Sequence, residues 1–306
     1  MTTLAIHPGA LGDVLLAIPA LRGLRALTPP SPLVIAAQPR IGGLLTALGE
    51  VDKARDFEAL GLDTLFAGDL PSGALAIVRE ARSVVCWFGA GDADFARRLR
   101  AMAPNAIVAP SAVAGVPTWR HLLATTGAAD APRACIAVPG LLAAAGRRLL
   151  AEAGWDGERG VAIVHPGAGS VRKRWATAGF AAVVNALGES GSFVALHEGP
   201  ADAASVADLS VALARRVAVL HEPPLPALAG ALHLARAYVG NDSGVSHLAA
   251  AVGTPSLILF ASALLAWAPW ARQARVMTVS MGDGAERDVD AVTAAALALV
   301  RAETPA

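Results

Sequence analysis

The chain has 306 residues, which is too long for one typical hydrophobic core and suits two domains of about 150 residues each. The 25 basic and 25 acidic residues give a net charge of zero, with Lys53 and Lys173 as the only lysines, so a nucleic-acid-binding surface is not expected. Cys86 and Cys135 form no CxxC pair, which argues against a disulfide framework or a cysteine metal site and fits a reducing cytoplasm.

Two segments bear on the location of the protein. Residues 1–9 contain no basic segment followed by an apolar one, so no secretory signal is expected. Residues 248–270 carry no charge and are long enough to span a bilayer, but Gly253, Thr254 and Pro255 interrupt the run. Residues 256–260 suit a buried parallel strand. Two buried elements are therefore predicted instead of a spanning helix, and the expected location is cytoplasmic.

Apolar runs and helical spacing alternate through the first half of the chain. Strands are predicted at 4–7, 33–37, 84–88 and 106–109, and helices at 41–48, 75–82 and 94–102. A glycine-bearing loop leads into a helix that begins at Asp13, and Pro19 is expected to kink this helix. Such alternation predicts a parallel sheet with helices on its faces. Residues 1–155 are therefore expected to form a Rossmann-like domain.

The same alternation restarts after a turn-rich stretch at 154–160, where the domain boundary is placed. Helices at 119–127 and 141–153 precede this stretch. Strands are predicted at 161–165, 192–197, 217–220, 238–240 and 256–260, and helices at 180–187, 201–213, 225–234 and 247–252. Residues 156–306 are expected to form a second Rossmann-like domain, whose final helix at 288–301 packs back across the junction.

A turn at residues 241–244 connects a buried strand to a helix. In an open α/β sheet, ligands bind beyond the carboxyl ends of the strands, and a helix that begins there offers unpaired N–H groups to an anion. Gly244 lets a phosphate approach the backbone, and Ser243 adds a hydroxyl donor. The turn is interpreted either as a phosphate site or as a simple helix cap made by Asp242 or Ser243.

The tetrapeptide HPGA occurs in both halves, at residues 7–10 and 165–168. Each copy follows the first strand of its domain and therefore lies at a carboxyl strand end. The two loops are expected to face each other across a cleft.

Three groups of motifs occur in order along nearly the whole chain. The first is GALGD at 9–13 with IPAL at 18–21; the second is HPGA at 165–168 with KRW at 173–175; the third is NDSG at 241–244 with HLAAA at 247–251 and GTP at 253–255. Together they resemble the motifs of the bacterial heptosyltransferases, glycosyltransferase family 9. The resemblance implies an α/β, GT-B-like fold in which two Rossmann-like domains face each other across a cleft.

The same resemblance implies an inverting glycosyltransferase. The second domain would bind an ADP-sugar donor, with heptose as the sugar, and the first domain would bind a lipopolysaccharide core or related saccharide acceptor. Such an acceptor implies peripheral contact with the inner membrane. Arg97, Arg98, Arg100 and Arg120 are the basic residues that the first domain offers to an anionic acceptor.

Asp13 is the expected catalytic base. Moving a sugar from a nucleotide diphosphate to a hydroxyl needs a base for the acceptor proton and a group that stabilises the leaving diphosphate. The loop before Asp13 is expected to project this carboxylate into the cleft. The alternative is that Asp13 caps its helix, and both roles are compatible.

Lys173 is expected to neutralise the diphosphate. Ser170 and the backbone N–H groups of Ser243 and Gly244 would assist it. No acidic pair at metal-ligand spacing lies near these loops, so neither a metal nor another cofactor is expected. Arg172 and Arg174 are expected to lie in solvent, because three successive side chains cannot all face one ligand.

Three further residues complete the expected donor site. Gly12 belongs to the first-domain loop, and Asp242 would lie beside the sugar hydroxyls. His247, one turn after Ser243, either reaches the site or packs in the core.

Other functions remain as alternatives. A nucleotide-sugar-binding protein without catalysis would keep the same residues, and only turnover would distinguish it. A family member with a different donor is a second alternative, because EGP at 198–200 and FAS at 260–262 depart from the family pattern near the expected nucleotide pocket. A nicotinamide dehydrogenase would need a third glycine after Gly167 and Gly169, and the following residues are Ser170, Val171 and Arg172.

Overall fold

The computed structural model describes residues 2–67, 75–214, 216–282 and 285–301. It contains two compact units, Met1–Ala134 and Cys135–Ala306, and each has a parallel β-sheet flanked by helices. Within the described residues, none of the helices combines the length and the apolar character that a membrane span requires.

Five parallel strands in the order β3-β2-β1-β4-β5 form the sheet of the first unit. They are β1 (Thr3–Ile6), β2 (Leu33–Ala37), β3 (Lys53–Asp56), β4 (Ser83–Cys86) and β5 (Ile107–Val108). Strand β1 is central, and Thr3 pairs with Leu33 on one side and Ser83 on the other. The strand order therefore reverses between β1 and β4, and α/β sheets bind ligands at such a point of reversal.

In the described part of the first unit, the α-helices that accompany this sheet are α1 (Leu11–Leu16), α2 (Ile18–Leu27), α3 (Pro39–Ala47), α4 (Thr64–Ala67), α5 (Ala76–Glu80), α6 (Ala93–Met102) and α7 (Thr118–Thr125). The helix expected to kink at Pro19 is divided at Ala17, and Pro19 lies in the first turn of α2. This position suits proline because a first-turn N–H has no partner within the helix. The Asp92 carboxylate caps α6 by accepting from the Phe95 N–H at 2.8 Å.

Six parallel strands in the order β11-β10-β9-β6-β7-β8 form the sheet of the second unit. They are β6 (Val161–His165), β7 (Phe193–Glu198), β8 (Ala218–His221), β9 (Ala237–Asn241), β10 (Ser256–Phe260) and β11 (Ala274–Thr278). The last residue of β6, His165, lies in register with Gly240 of β9. The strand order reverses between β6 and β9, so a ligand is expected to bind at the loops that follow these two strands.

Within the residues that the structure describes, the α-helices of the second unit are α8 (Gly140–Glu152), α9 (Thr177–Glu189), α10 (Ala203–Ala212), α11 (Leu225–Leu234), α12 (Gly244–Ala251) and α13 (Val289–Arg301). The final helix, α13, contributes Val292, Ala295 and Ala296 to the same core cluster as Phe180 of α9. The uncharged run at 248–270 contains the end of α12 and the buried strand β10, so the predicted pair of buried elements is confirmed.

The compact units meet in sequence at Ala134 and Cys135, before the boundary that the sequence placed at 155. Helix α8 lies on α11 of the second unit. A side chain on Gly146 would collide with the Ala231 backbone, and one on Gly230 with the Leu142 carbonyl. Two glycines therefore allow the α8 and α11 backbones to approach closely, which explains why α8 belongs to this unit.

Strands β3 and β11 lie at sheet edges and were not predicted. The sequence of β3 is KARD, and three of its four residues are exposed. The side chains of β11 are all partly or fully exposed. Edge strands are paired on one side only and need no continuous apolar run, so the signal used for the central strands is missing.

Candidate functional site

Asn241 connects two loops at the carboxyl edge of the second sheet. Its side chain is fully buried at the end of β9. The amide nitrogen donates to the Pro166 carbonyl at 2.8 Å, and the amide oxygen accepts from the Trp175 N–H at 3.0 Å. These bonds hold the loops after β6 and β9 together. The sequence indicated Asn241 only as a turn residue, because these partners lie 75 and 66 positions away.

Lys173, Asp242 and His247 meet beside this clamp. The Lys173 ammonium lies 2.7 Å from Asp242 Oδ2, and His247 Nε2 lies 3.6 Å from Asp242 Oδ1. The side chains of Asp242 and His247 are each 5% exposed, whereas that of Lys173 is 32% exposed. The structure therefore brings together three of the predicted site residues, with the lysine as the member open to solvent.

The Asp242 carboxylate is held in its ionised form. Burial alone raises the pKa of this carboxyl, but the interactions with His247 and Lys173 outweigh burial, and the pKa is lowered overall. A buried carboxylate paired in this way fixes the position of the lysine ammonium.

Ser243 caps α12, as predicted by the interpretation of the turn at 241–244 as a helix cap. Its hydroxyl accepts from the Ser246 N–H at 3.3 Å. The Ser246 hydroxyl in turn contacts Tyr238 Oη at 2.8 Å and donates to the Asn241 carbonyl. Helix α12 begins at Gly244, so its first-turn N–H groups and positive dipole end lie directly beyond β9.

Two predicted donor residues make fewer contacts. Ser170 is exposed, and its carbonyl accepts from the Lys173 N–H at 3.1 Å at the start of a short 3-10 turn. Gly12 lies in the first turn of α1, within the first unit, whereas the other predicted donor residues lie in the second.

A buried polar cluster lies beneath the loop after β6. The Nδ1 atoms of His165 and His197 are 3.1 Å apart, and His165 Nε2 lies 3.9 Å from Asp202 Oδ2. Burial lowers the pKa of both imidazoles, that of His197 to about 3, so both rings are neutral at physiological pH. Among the described residues, these three form the one group whose nitrogen and oxygen atoms are close enough to be considered for a metal ion. The two nitrogens of His165 face different partners, and the distance from Nε2 to Asp202 is too long for a hydrogen bond.

Asp13 lies on a pocket of the first unit. The pocket has a volume of about 400 Å³ and lies beyond the ends of β1 and β4, where the strand order of the first sheet reverses. Asp13, His7 and Trp87 contribute to its lining. The side chain of Asp13 does not cap α1, because Ala10 is the N-cap and no side-chain capping bond forms. The cap interpretation of Asp13 is therefore not supported.

His7 is a buried neighbour of Asp13 that the sequence did not indicate. It is 1% exposed, and its Nδ1 accepts from the Gly9 N–H at 3.1 Å. The proton of the neutral ring must therefore be on Nε2, which is buried and has no hydrogen-bond partner in the described part of the chain. Burial lowers the pKa of His7 to about 4, and the nearby Asp13 charge opposes this effect only in part.

Three of the four arginines suggested for an anionic acceptor have other contacts, and the fourth, Arg100, is exposed. Arg97 pairs with Asp94 at 2.5 Å, and Arg98 donates to the Leu65 carbonyl. The guanidinium of Arg120 lies over the Trp119 ring, 5.1 Å from its centroid.

The family model of glycosyltransferase family 9 (heptosyltransferase) matches residues 101–295. This range is more than half of the chain and contains both groups of second-unit motifs. The chain belongs to glycosyltransferase family 9. Lipopolysaccharide heptosyltransferase 3 of Escherichia coli is 34% identical over 120 residues, which cover 35% of this chain and only 33% of that protein.

Solved structures extend the similarity to nearly the whole chain. E. coli ADP-heptose lps heptosyltransferase II has a TM-score of 0.77 at 20% identity, with 98% of each chain covered. E. coli heptosyltransferase WaaC with ADP has a TM-score of 0.67 at 17% identity, with 96% of this chain and 98% of that chain covered. At these identities the similarity establishes the fold, so the predicted α/β fold of the GT-B class, with two Rossmann-like domains, is confirmed.

Proposed function

We propose that this family 9 protein transfers heptose from an ADP-sugar to a saccharide acceptor of the lipopolysaccharide core. The observation that carries the proposal is the Lys173–Asp242 ion pair beside the N-terminus of α12. Two similar proteins support the choice of substrates: one is named lipopolysaccharide heptosyltransferase 3, and the other is a heptosyltransferase whose structure contains ADP.

The second unit would bind the donor. Lys173 has three N–H donors and Asp242 accepts from one of them, so two remain for the diphosphate. The N–H groups at Ser243 and Gly244 add donors and a positive dipole end, with Ser170 at the edge of the site. The buried carboxylate of Asp242, with His247 behind it, would accept hydrogen bonds from sugar hydroxyls. A cation and a helix terminus together would hold the diphosphate without a divalent ion or another cofactor.

The first unit would bind the acceptor. Asp13 would take the proton from the acceptor hydroxyl, whose oxygen attacks the anomeric carbon of the donor. The bond to the diphosphate breaks at the same time, and ADP leaves with the bonding electrons while Lys173 stabilises its charge. A single displacement from the opposite face inverts the configuration, so we propose an inverting transferase. Gly12 would support the loop that positions Asp13.

The proposed acceptor also determines where the protein works. A growing lipopolysaccharide core is attached to lipid, so the protein would act in the cytoplasm in peripheral contact with the inner membrane. The net charge of zero gives no reason to add a nucleic acid to its partners.

Replacing the base tests the reaction. Asp13→Asn keeps the size of the side chain but cannot accept the proton, so turnover of ADP-heptose with a core acceptor should fall about 10²- to 10⁴-fold. ADP affinity, measured by calorimetry, should stay within about threefold, because Asp13 lies in the other unit. Asp63→Asn is a matched control on an exposed aspartate of the same unit. Full activity in Asp13→Asn would end its role as base.

Two measurements on the wild-type protein separate the alternatives. Titration with ADP, UDP, GDP and NAD, with and without magnesium, should give selective, metal-independent binding of ADP. Preference for UDP or GDP would keep the reaction class but replace the donor. ADP binding without turnover of any core acceptor would favour a nucleotide-sugar-binding protein that lacks catalysis.

A further inference from the structure

Arg174 has an unusual environment for the last residue of a short basic run. It is half-buried, whereas Arg172 is exposed. Its Nε atom is sealed from solvent without a hydrogen-bond partner in the described residues. A buried N–H without a partner is costly, and in a native protein it requires an explanation. This environment differs from the solvent-exposed position expected from the sequence.

The local backbone explains why Lys173 and Arg174 can serve the same site. Residues Val171–Lys173 form one 3-10 turn, and Arg174 then adopts an extended conformation, with φ −93° and ψ 126°. The next residue, Trp175, is fixed to Asn241 by its N–H. The regular spacing of a single helix or strand therefore does not fix the relative direction of these two side chains.

The positive charge of Arg174 lies close enough to the carboxyl end of β6 to affect the pKa of His165. Burial is the largest effect that lowers the pKa of His165, and the positive charge of Arg174 lowers it further. His165 ends β6 and is in register with Gly240 of β9. Lys173 lies at Asp242, two residues beyond Gly240. The two cations therefore lie beside the ends of the same two strands.

Charge balance shows what Lys173 alone cannot provide. Its ammonium is paired with the ionised Asp242 carboxylate at 2.7 Å, so the pair has no net charge. His247, the third member, adjoins the same carboxylate. A nucleoside diphosphate brings several negative charges, and the Lys173–Asp242 pair, which is neutral overall, offsets them less than a free cation would. Arg174 is the next residue after Lys173, and within the described part of the chain its Nε atom has no hydrogen-bond partner.

We infer that Arg174 is a second cation of the donor site and binds the diphosphate of the nucleotide through its guanidinium N–H groups. This inference rests on the proposed function, because it adds a residue to the same donor site. A guanidinium presents a planar set of donors that matches two phosphate oxygens at once, which an ammonium cannot do. Arg174 would thus supply the net positive charge, and Lys173 with Asp242 would fix the geometry.

Calorimetry with ADP and AMP tests the inference. Arg174→Gln should weaken ADP binding about 10- to 100-fold, while AMP, which lacks the second phosphate, should lose less affinity. Arg174→Lys should recover only part of the loss, because it restores the charge without the planar donors. Arg172→Gln is the matched control and should bind ADP within about threefold of the wild type, since Arg172 is exposed.

The results separate the inference from the function on which it rests. Wild-type binding of ADP that Lys173→Gln weakens and Arg174→Gln leaves unchanged would reject Arg174 and keep the donor site. Absence of ADP binding in the wild type would reject both. If Arg174→Gln folds poorly, NMR on the wild-type protein provides an independent test. The Nε–H resonance of Arg174, assigned by its loss in Arg174→Lys, should shift on addition of ADP but not of adenosine. An unchanged resonance at saturating ADP would overturn the inference.

Discussion

His7 shows how one buried residue near a candidate catalytic group affects stability. The folded protein keeps the imidazole neutral because burial lowers its pKa from 6.5 to about 4. The unfolded chain therefore binds a proton between these two values that the folded chain does not bind. The sign follows directly: the free energy of unfolding falls as the pH falls from about 6.5 towards 4.

This effect gives a measurable pH dependence. At pH 5 the His7 contribution should lower the free energy of unfolding by about 2 kcal/mol relative to pH 7. His7→Asn keeps an acceptor for the Gly9 N–H but does not titrate, so urea denaturation should show a smaller loss between pH 7 and pH 5. An equal loss in wild type and His7→Asn would contradict the assignment.

The sequence predicted part of the candidate site at this scale. Lys173, Asp242 and His247 lie in recognisable motifs, and the structure brings both Lys173 and His247 within 4 Å of the Asp242 carboxylate. His7 and Arg174 were missed as candidate site residues. Each has a buried N–H group without a hydrogen-bond partner in the described residues, and this feature depends on which residues surround it in the folded chain. That information is a property of the folded chain, and no local spacing encodes it.

At the scale of elements, the central strands and the edge strands β5 and β8 were predictable from the sequence, whereas the edge strands β3 and β11 were not. Strands β1, β6 and β10 are buried along their whole length, and each contains a run of at least three consecutive apolar residues. The edge strands β3 and β11 lack such runs. The pairing of α8 with α11 was also not predicted, because it depends on glycines 84 positions apart that remove a steric barrier.

The α8–α11 contact gives a prediction about one methyl group. Gly146→Ala should destabilise the second unit by about 2 kcal/mol, because the new Cβ would collide with the backbone of α11. This loss is expected even though alanine is a better helix former than glycine by about 1 kcal/mol. Gly140→Ala is the matched control in α8, since nothing lies within 4 Å of its Cβ position. Thermal unfolding followed by circular dichroism provides the comparison. A Gly146→Ala protein as stable as Gly140→Ala would show that the helices can move apart at no cost.

At the scale of the whole molecule, the position of the domain boundary decides which fragments are stable. The second compact unit begins at Cys135, and several contacts made by residues 135–155 lie within it. The Ile136 N–H donates to the Ala251 carbonyl at 2.8 Å, and Leu150 of α8 is fully buried. A fragment that begins at 156 would lose these contacts and expose the face of α11 that α8 covers.

We therefore expect different behaviour from two fragments of the same chain. Residues 135–306 should unfold cooperatively in urea and retain binding of ADP, because the proposed donor residues Lys173, Asp242 and Arg174 are all present. Residues 156–306 should be less stable by at least about 1.5 to 3 kcal/mol, the value of burying Leu150 alone, and more prone to aggregation. Equal urea midpoints and equal ADP affinities would place the functional boundary at 155, as the sequence pattern suggested. Loss of ADP binding in a well-folded 135–306 fragment would instead show that the donor site needs residues of the first unit.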